Sequence, residues 1–507
     1  MISARHPISR RHALTLIGAS AVAPSLPAMA LQSPGEPLHY LSLEEAARRI
    51  GARHISPVKL TRHMLERIAQ VDPVLKSYAT VTGAAARAEA RAAEREIRAG
   101  RYRGPLHGMP IAVKDLCYTK GVRTMGGTPV FKNFIPAFDG TVVARLHAAG
   151  AVLLGKLNLS EGATAGYNPA FDVPLNPWNM DRWPGMSSSG SGVATAAGLC
   201  FAAIGTDTGG SIRNPASANG VVGLKPTYGR VSRYGLLAMA PSLDHVGTLA
   251  RQVGDAAILY DAIAGHDPQD PTSLDAPPAQ AFDSLGQGIG GLRIGVDRDY
   301  ALKGINDRQA AALETALQEL SNLGARIVEV RMPDLTDMLG TWNTICGAEI
   351  VVAHRANYPS RAGAYGPYMR EFLSMGARVT PQELAAAREK RKAFTARFVA
   401  MLDTVDVMAG PAGGDPAWPI THALQVGPLP AFHAAWFEAA PRSPEFTMPM
   451  DLAGTPAICL PAGFSPDGLP YSIQFSAKPL AEAMLCRIAH AYERATEWHT
   501  RHPKLDA

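Results

Sequence analysis

A serine acts as a nucleophile only where the backbone presents it and a neighbouring group takes its proton. Ser211 meets the first condition. Within GTDTGGSIRNPASANG (205–220) it follows two glycines and stands two residues before Arg213. Successive glycine amides can point into one concavity, where negative charge on a carbonyl oxygen is stabilised. The stretch holds no histidine, so the base must come from elsewhere. Lysine can serve if it is neutral, and burial lowers its pKa by several units. Lys114 is the candidate, because it ends the apolar run in GPLHGMPIAVKDL (104–116), where a buried strand end would hold it inside. The residues alone leave a second account open, in which Lys114 pairs with Asp115. Another serine cluster, PGMSSSGSG (184–192), would by itself be a helix N-terminus with capping serines. Ser187 in that cluster lies 73 residues after Lys114 and 24 before Ser211.

These groups need a frame. Short apolar runs at 110–116, 150–156, 292–296, 326–330, 406–410, 457–460 and 472–475 read as strands. Helical segments are expected over 41–70, 83–99, 307–323, 381–402 and 480–497, and a small-residue helix leading into a strand over 192–205. Ser42 followed by Glu45 has the form of a capping box, and Ser56-Pro57 opens a second helix. Alternation of short apolar strands with helices predicts an α/β class fold, layered around a mixed, mostly parallel sheet. The Pro-, Asp- and Gly-rich stretch 265–290 would be either a linker or a long surface excursion. No repeat or clean linker divides the chain, so one large domain over 31–507 is expected.

The first thirty residues stand apart. Arg5, Arg10 and Arg11 give a basic start without acids, an apolar run follows from Ala13 to Ala23, and Ala28-Met29-Ala30 has the form of a cleavage site. This predicts a signal peptide over 1–30, and Arg10-Arg11 resembles the twin-arginine type. A periplasmic or secreted location follows as an expectation. Without those three arginines the charge is 46 basic against 44 acidic residues, and no basic stripe suited to nucleic acid is present. No other stretch approaches the roughly 20 apolar residues of a membrane span. The five cysteines, widely spaced, read as buried free thiols. The histidines form no metal-binding spacing, so no metal or other cofactor is expected.

Several motifs fail in context. Gly286, Gly288 and Gly291 match a dinucleotide fingerprint but precede a strand and open no helix. Ser56 and Lys59 match S-x-x-K, yet Ser56 stands where a cap is wanted.

In order along the chain, however, GPLHGMPIAVKDL, the stretch from Pro184 through GTDTGGSIRNPA to VGLKPTYGRVSRYG (222–235), and DLAGTPAICLPAGFSPDGLP (451–470) resemble the amidase signature family. The resemblance extends from about residue 40 to 505. It implies hydrolysis of carboxylic amide bonds through a Ser-Ser-Lys triad, with Lys114 as base, Ser187 as bridging serine and Ser211 as nucleophile carrying an acyl group. It also implies an oxyanion hole from the backbone N–H groups of Thr208, Gly209, Gly210 and Ser211. Asp207 and Arg213 are expected to pair and hold the loop. The stretch SEGATAGYNPAF (160–171) would lie beside the site, with Ala163 and Thr164 at the substrate. Its small residues would leave room for a bulky acyl group or would serve close packing.

This chain departs from the family in one place. Where the family has glycine before a bridging serine that follows a cis peptide bond, this chain has Met186, and Ser189 supplies a competing hydroxyl. The expected partner is a small-molecule amide, and a homodimer is left open. Two rival functions share the scaffold: a glutamine-hydrolysing subunit of a tRNA-dependent amidotransferase, which an export signal opposes, and a non-catalytic binding protein, which retention of all three catalytic residue types opposes.

Overall fold

Strands covered on both faces read as continuous apolar runs, whichever way they point. That property shapes the fold, obtained as a computed structural model that describes residues 37–505. The segment read as a signal peptide, 1–30, lies outside the described residues. The strands are β1 (Tyr78–Val81), β2 (Pro110–Lys114), β3 (Val152–Leu157), β4 (Ala202–Asp207), β5 (Val222–Lys225), β6 (His245–Ala250), β7 (Arg293–Val296), β8 (Arg326–Glu329), β9 (Val407–Gly410), β10 (Ala457–Phe464) and β11 (Pro470–Ser476). They form one sheet in the order β1-β3-β2-β4-β6-β5-β10-β11-β9-β7-β8. β2 to β6 are buried along their whole length, and β10 and β11 nearly so.

The α/β class and the mixed sheet are as expected, but the parallel share is not. Parallel pairing joins β2 to β3 and β4, and β7 to β8 and β9. The other neighbours, from β4 through β6, β5, β10 and β11 to β9, and β1 with β3, are antiparallel. Apolar runs reveal that both faces are covered and say nothing about direction, which is why the sequence overstates parallel pairing. The stretch 265–290 is a loop with one short 3-10 turn inside the same compact unit, not a linker between units.

Local signals mostly hold. Ser56 caps the helix Pro57–Leu75 by accepting from the Lys59 N–H. Ser42 accepts from the Glu45 N–H, but the expected reciprocal bond is replaced: the Glu45 carboxylate is drawn to Arg48 and Arg49 on its own helix. All five cysteines are buried and unpaired.

The topology brings two loops together. The parallel trio β3, β2, β4 sets the C-terminal ends of β2 and β4 side by side, with Ala112 beside Ala203 and Val113 beside Ile204. Lys114 therefore ends one strand where Thr206 and Asp207 end the next. The helix Ser189–Ala196 packs over β4 and carries the serine cluster at its start.

Candidate active site

Lys114 lies at the centre with no exposed surface. Alternation along the strand end separates it from its neighbour. Asp115 turns instead to Lys156 of β3, 3.1 Å away, so the Lys114–Asp115 pairing left open by the sequence does not form. The Lys114 Nζ meets three hydroxyl oxygens: Ser187 at 2.8 Å, Ser188 at 2.9 Å and Thr206 at 2.8 Å. Burial, opposed only weakly by Asp207 and more distant groups, brings its pKa down to about 7.

The three consecutive serines have different duties. The Ser188 Oγ donates to the Thr206 carbonyl at 3.1 Å and accepts from the Thr206 N–H at 3.2 Å, so its proton is committed. The Ser189 Oγ is bonded to the Tyr167 hydroxyl at 2.6 Å. The Ser187 Oγ has Lys114 as its sole hydrogen-bond partner among the described residues. The peptide before it, Met186–Ser187, is cis. Met186 borders a cavity beside Ser211.

Ser211 lies at the tip of the loop after β4 and is the least enclosed of these serines. Its carbonyl accepts from the Ser188 N–H at 3.2 Å, which ties the two loops together. No hydrogen bond joins Ser187 Oγ to Ser211 Oγ; such contacts commonly tighten only when substrate is bound.

Three carbonyls of the loop are held by hydrogen bonds. The Trp342 Nε1–H donates to Thr208 O at 2.8 Å, the Thr447 hydroxyl donates to Gly209 O at 2.7 Å, and the Asn214 N–H donates to Gly210 O at 2.7 Å. In a trans peptide the following N–H points away from the carbonyl that precedes it, so these three bonds fix the planes of the peptides that carry the Gly209, Gly210 and Ser211 N–H groups. Gly210 departs from the expected donor set, because its N–H is taken by the Asp207 Oδ1 at 2.5 Å. Among the described residues no acceptor is bonded to the N–H of Thr208, Gly209 or Ser211. Glycine is required at 210: φ is +127° and a Cβ would sit 2.6 Å from the Thr447 Oγ1.

Asp207 and Arg213 pair as expected, at 3.0 Å, both without exposed surface. Arg213 also donates to Asp451 at 2.6 Å and to the Gln474 Oε1 at 3.0 Å. Burial opposes the charge on Asp207, but Arg213 outweighs it and holds the carboxyl below its ordinary range. Burial and the neighbouring Asp207 push Asp451 the other way, well above that range. Sequence reasoning missed Asp451 and Gln474, which lie 238 and 261 positions from Arg213. It also missed Thr206 and Ser188, although both stand inside the quoted motifs.

Ala163 and Thr164 line the cavity beside Ser211. Glu161 fixes their loop against the opposite wall, accepting from the Asn168 Nδ2 at 2.9 Å and the Gly366 N–H at 2.8 Å. A Cβ on Gly366 would lie 2.7 Å from that carboxylate. Burial raises the Glu161 pKa to about 7. No group of three or more His, Cys, Asp or Glu side chains suited to a metal is present among the described residues.

A strand-end lysine among hydroxyls, a serine on a glycine-rich bend and loop amides without a bonded acceptor are what an acyl-transfer hydrolase requires. Comparison with known proteins agrees: the Amidase family model matches residues 59–486, and the chain belongs to that family. It is similar to the Mycobacterium tuberculosis H37Rv protein AmiD, assigned as an amidase, with 42% identity covering 92% of this chain and 96% of that protein. It is also similar to a glutamyl-tRNA(Gln) amidotransferase subunit of Geobacter sp. M21, at 38% identity covering 92% and 99%. Among solved structures, the peptide amidase of Stenotrophomonas maltophilia superposes with a TM-score of 0.81 at 31% identity, covering 93% of this chain and 100% of that one. The chain is accordingly an amidase, a hydrolase of carboxylic amide bonds.

Proposed function

We propose that this amidase works through an acyl-enzyme on Ser211, with Ser187 as the bridging acid–base and Lys114 as the base. One observation carries the reading: a lysine sealed from solvent is hydrogen-bonded to three hydroxyls and, among the described residues, to no carboxylate. A neutral amine has two N–H groups and one lone pair. Ser188, its proton spent on Thr206 O, takes one N–H. Thr206 takes the other, and the Ser187 O–H points into the lone pair. The Ser187 oxygen is then open to the Ser211 proton.

The cycle follows. The Ser211 Oγ attacks the amide carbon while its proton passes to Ser187 and the Ser187 proton passes to Lys114. The oxyanion faces the N–H groups of Thr208, Gly209 and Ser211. Collapse breaks the C–N bond, and the Lys114 ammonium returns its proton through Ser187 to the leaving nitrogen. Water attacks the ester, gives its proton to the same relay, and the acid departs as Ser211 regains a proton. Treatment with an acylating probe followed by mass spectrometry should add one acyl mass to the wild type and none to Ser211→Ala. Full turnover by Ser211→Ala would overturn the mechanism. Ser187→Ala should retain trace acylation at best.

We also propose export, from the basic start, apolar run and A-x-A site of residues 1–30. Residues 1–35 fused to a folded reporter should deliver it to the periplasm, and replacing Arg10 and Arg11 by Lys should stop delivery. Unchanged delivery would remove the twin-arginine reading.

A further inference from the structure

The cavity beside Ser211 is bounded by parts that lie far apart in the chain. Ala163 and Thr164 come from the turn 160–168, and Tyr368 and Phe372 from the helix Pro367–Gly376. Trp342, Trp436 and Phe437 complete an aromatic wall. The turn is not a shape its own residues favour. Gly162 and Ala163 both lie in the left-handed region, at φ +59° and +64°, and an alanine stays there only where its surroundings impose it. Turn and helix approach closely through glycine. A Cβ on Gly162 would lie 2.9 Å from the Met369 Cε, and one on Gly166 would lie 2.4 Å from the Tyr368 Cβ. The turn therefore offers the helix little side chain to grip.

Glu161 supplies the tie. It is 1% exposed, and its two carboxylate oxygens serve the two sides. One accepts from the Asn168 Nδ2 at 2.9 Å, which closes the turn. The other accepts at 2.8 Å from the N–H of Gly366, the N-cap of the helix, where the helix dipole favours an anion. The same Asn168 Nδ2 donates to the Ala364 carbonyl at 3.1 Å. The turn is held to the serine cluster by other bonds, in which the Glu161 carboxylate has no part. The Ser160 N–H donates to Ser187 O at 3.4 Å, and the Tyr167 hydroxyl is bonded to the Ser189 Oγ at 2.6 Å. Resting on the Ser211 mechanism above, we propose that Glu161 is a positioning residue for substrate recognition. It holds the turn and the helix in register, and so sets the width of the cavity, without taking part in proton transfer.

Two sulfonyl fluorides that differ by one ring test this on the purified full chain: methanesulfonyl fluoride and phenylmethanesulfonyl fluoride. Each modifies Ser211 in the same way: the Oγ–S bond forms, fluoride leaves and the serine proton enters the relay. Labelling rates are read by mass spectrometry at about pH 8.5, above the value of about 7 to which burial raises Glu161. In Glu161→Gln the amide accepts at only one of its two ends, so one of the two bonds is lost. The phenyl reagent should slow about tenfold or more, since a displacement of about 1 Å can cost about 100-fold, while the methyl reagent stays within about twofold. Hydrogen exchange should rise together in 160–168 and 365–376 and stay unchanged in 184–192. Gly366→Ala reaches the same contact from the helix side, because its Cβ would lie 2.7 Å from the carboxylate. It should reproduce both results, and the double variant should be no slower than the slower single one. Equal slowing of both reagents, an unchanged ratio, or exchange that rises on one side only would overturn the assignment. Should Glu161→Gln not fold, Gly366→Ala carries the comparison. If neither reagent labels Ser211 in the wild type, the Ser211 mechanism falls, and hydrogen exchange alone decides whether Glu161 ties the two segments.

Discussion

Lys114 is the last residue of β2 and Lys156 the last but one of the neighbouring parallel strand β3, both are essentially without exposed surface, and both follow apolar runs. They face different company. Lys156 meets the Asp115 carboxylate at 3.1 Å, the Cys117 carbonyl at 2.6 Å and the Thr124 hydroxyl at 2.7 Å. Among the described residues Lys114 is hydrogen-bonded to hydroxyls alone. A third buried lysine, Lys225, is brought down to about 8, by burial first, yet its Nζ donates to the carbonyls of Thr455 and Pro226. Carbonyls accept but have no proton to give. Burial alone therefore does not make a base: Lys225 meets carbonyls and Lys156 a carboxylate, whereas Lys114 combines a lowered pKa with a hydroxyl able to pass a proton onward.

The largest expected effect breaks this comparison directly. Lys114→Met should lower kcat/KM by at least about 10³-fold, since a general base is worth about 10²–10⁴, while leaving the circular dichroism spectrum and melting midpoint near wild type. Lys156→Met should do the opposite. It leaves Asp115 buried without its cation, a change worth about 3–5 kcal/mol of stability, with turnover per folded molecule largely kept. Equal activity losses in the two variants, measured on folded protein, would erase the distinction.

The pH profile sharpens it. Lys114 must be neutral to accept a proton, so kcat/KM should rise with pH through about 7. Interacting hydroxyls make this an apparent value of the relay. The sign for stability is the same. The folded pKa lies below the unfolded 10.5, so between about 7 and 10.5 the unfolded chain binds the extra proton and the Lys114 contribution to stability grows as pH rises. An acid limb unmoved in a Lys114 variant with residual activity would assign the limb to another group.

Asp207→Asn comes next. The carboxylate accepts from the N–H groups of Gly210 and Ile212 and from Arg213. An amide can accept at only one of its two ends, so one loop donor would face another donor. The amides of the Ser211 loop should lose register, and kcat should fall about 10²-fold, the scale of losing one oxyanion donor. Unchanged kcat would show that the Arg213 network does not hold the loop.

How far the sequence reveals all this depends on the range of the interaction. Lys114, Ser187 and Ser211 stand in short motifs whose residue types carry their own chemistry, and Asp207 lies six positions from the arginine it binds. Asp451 and Gln474 give no local sign, because a buried polar network is closed by topology and not by spacing. The helices Met338–Ala353 and Leu429–Ala439, which supply Trp342, Trp436 and Phe437, went unseen. Both have apolar residues spread around the helix rather than on one face, so the period that betrays a surface helix is missing. Strands β5 and β6 are also absent from the sequence reading, and length is not the reason, since β7, β8 and β9 have four residues as well. The chemistry is thus legible where it is local, and the aromatic wall of the cavity beside Ser211 is not.

The smallest expected effect settles which of the adjacent serines bridges. Ser189 competes with Ser187 in the sequence, but its Oγ is paired with Tyr167, a tyrosine whose hydroxyl burial keeps protonated. The Tyr167 O–H therefore donates and Ser189 accepts. Ser189→Ala leaves that hydroxyl buried without an acceptor, a cost of about 1–3 kcal/mol that thermal unfolding should detect. The proposed proton path runs through Ser187 and Lys114, and Ser189 is hydrogen-bonded to neither, so kcat should stay within about twofold and the acid limb near pH 7 should not move. A Ser189→Ala variant that melts normally but loses turnover, with its pH profile displaced, would transfer the bridging role from Ser187 to Ser189.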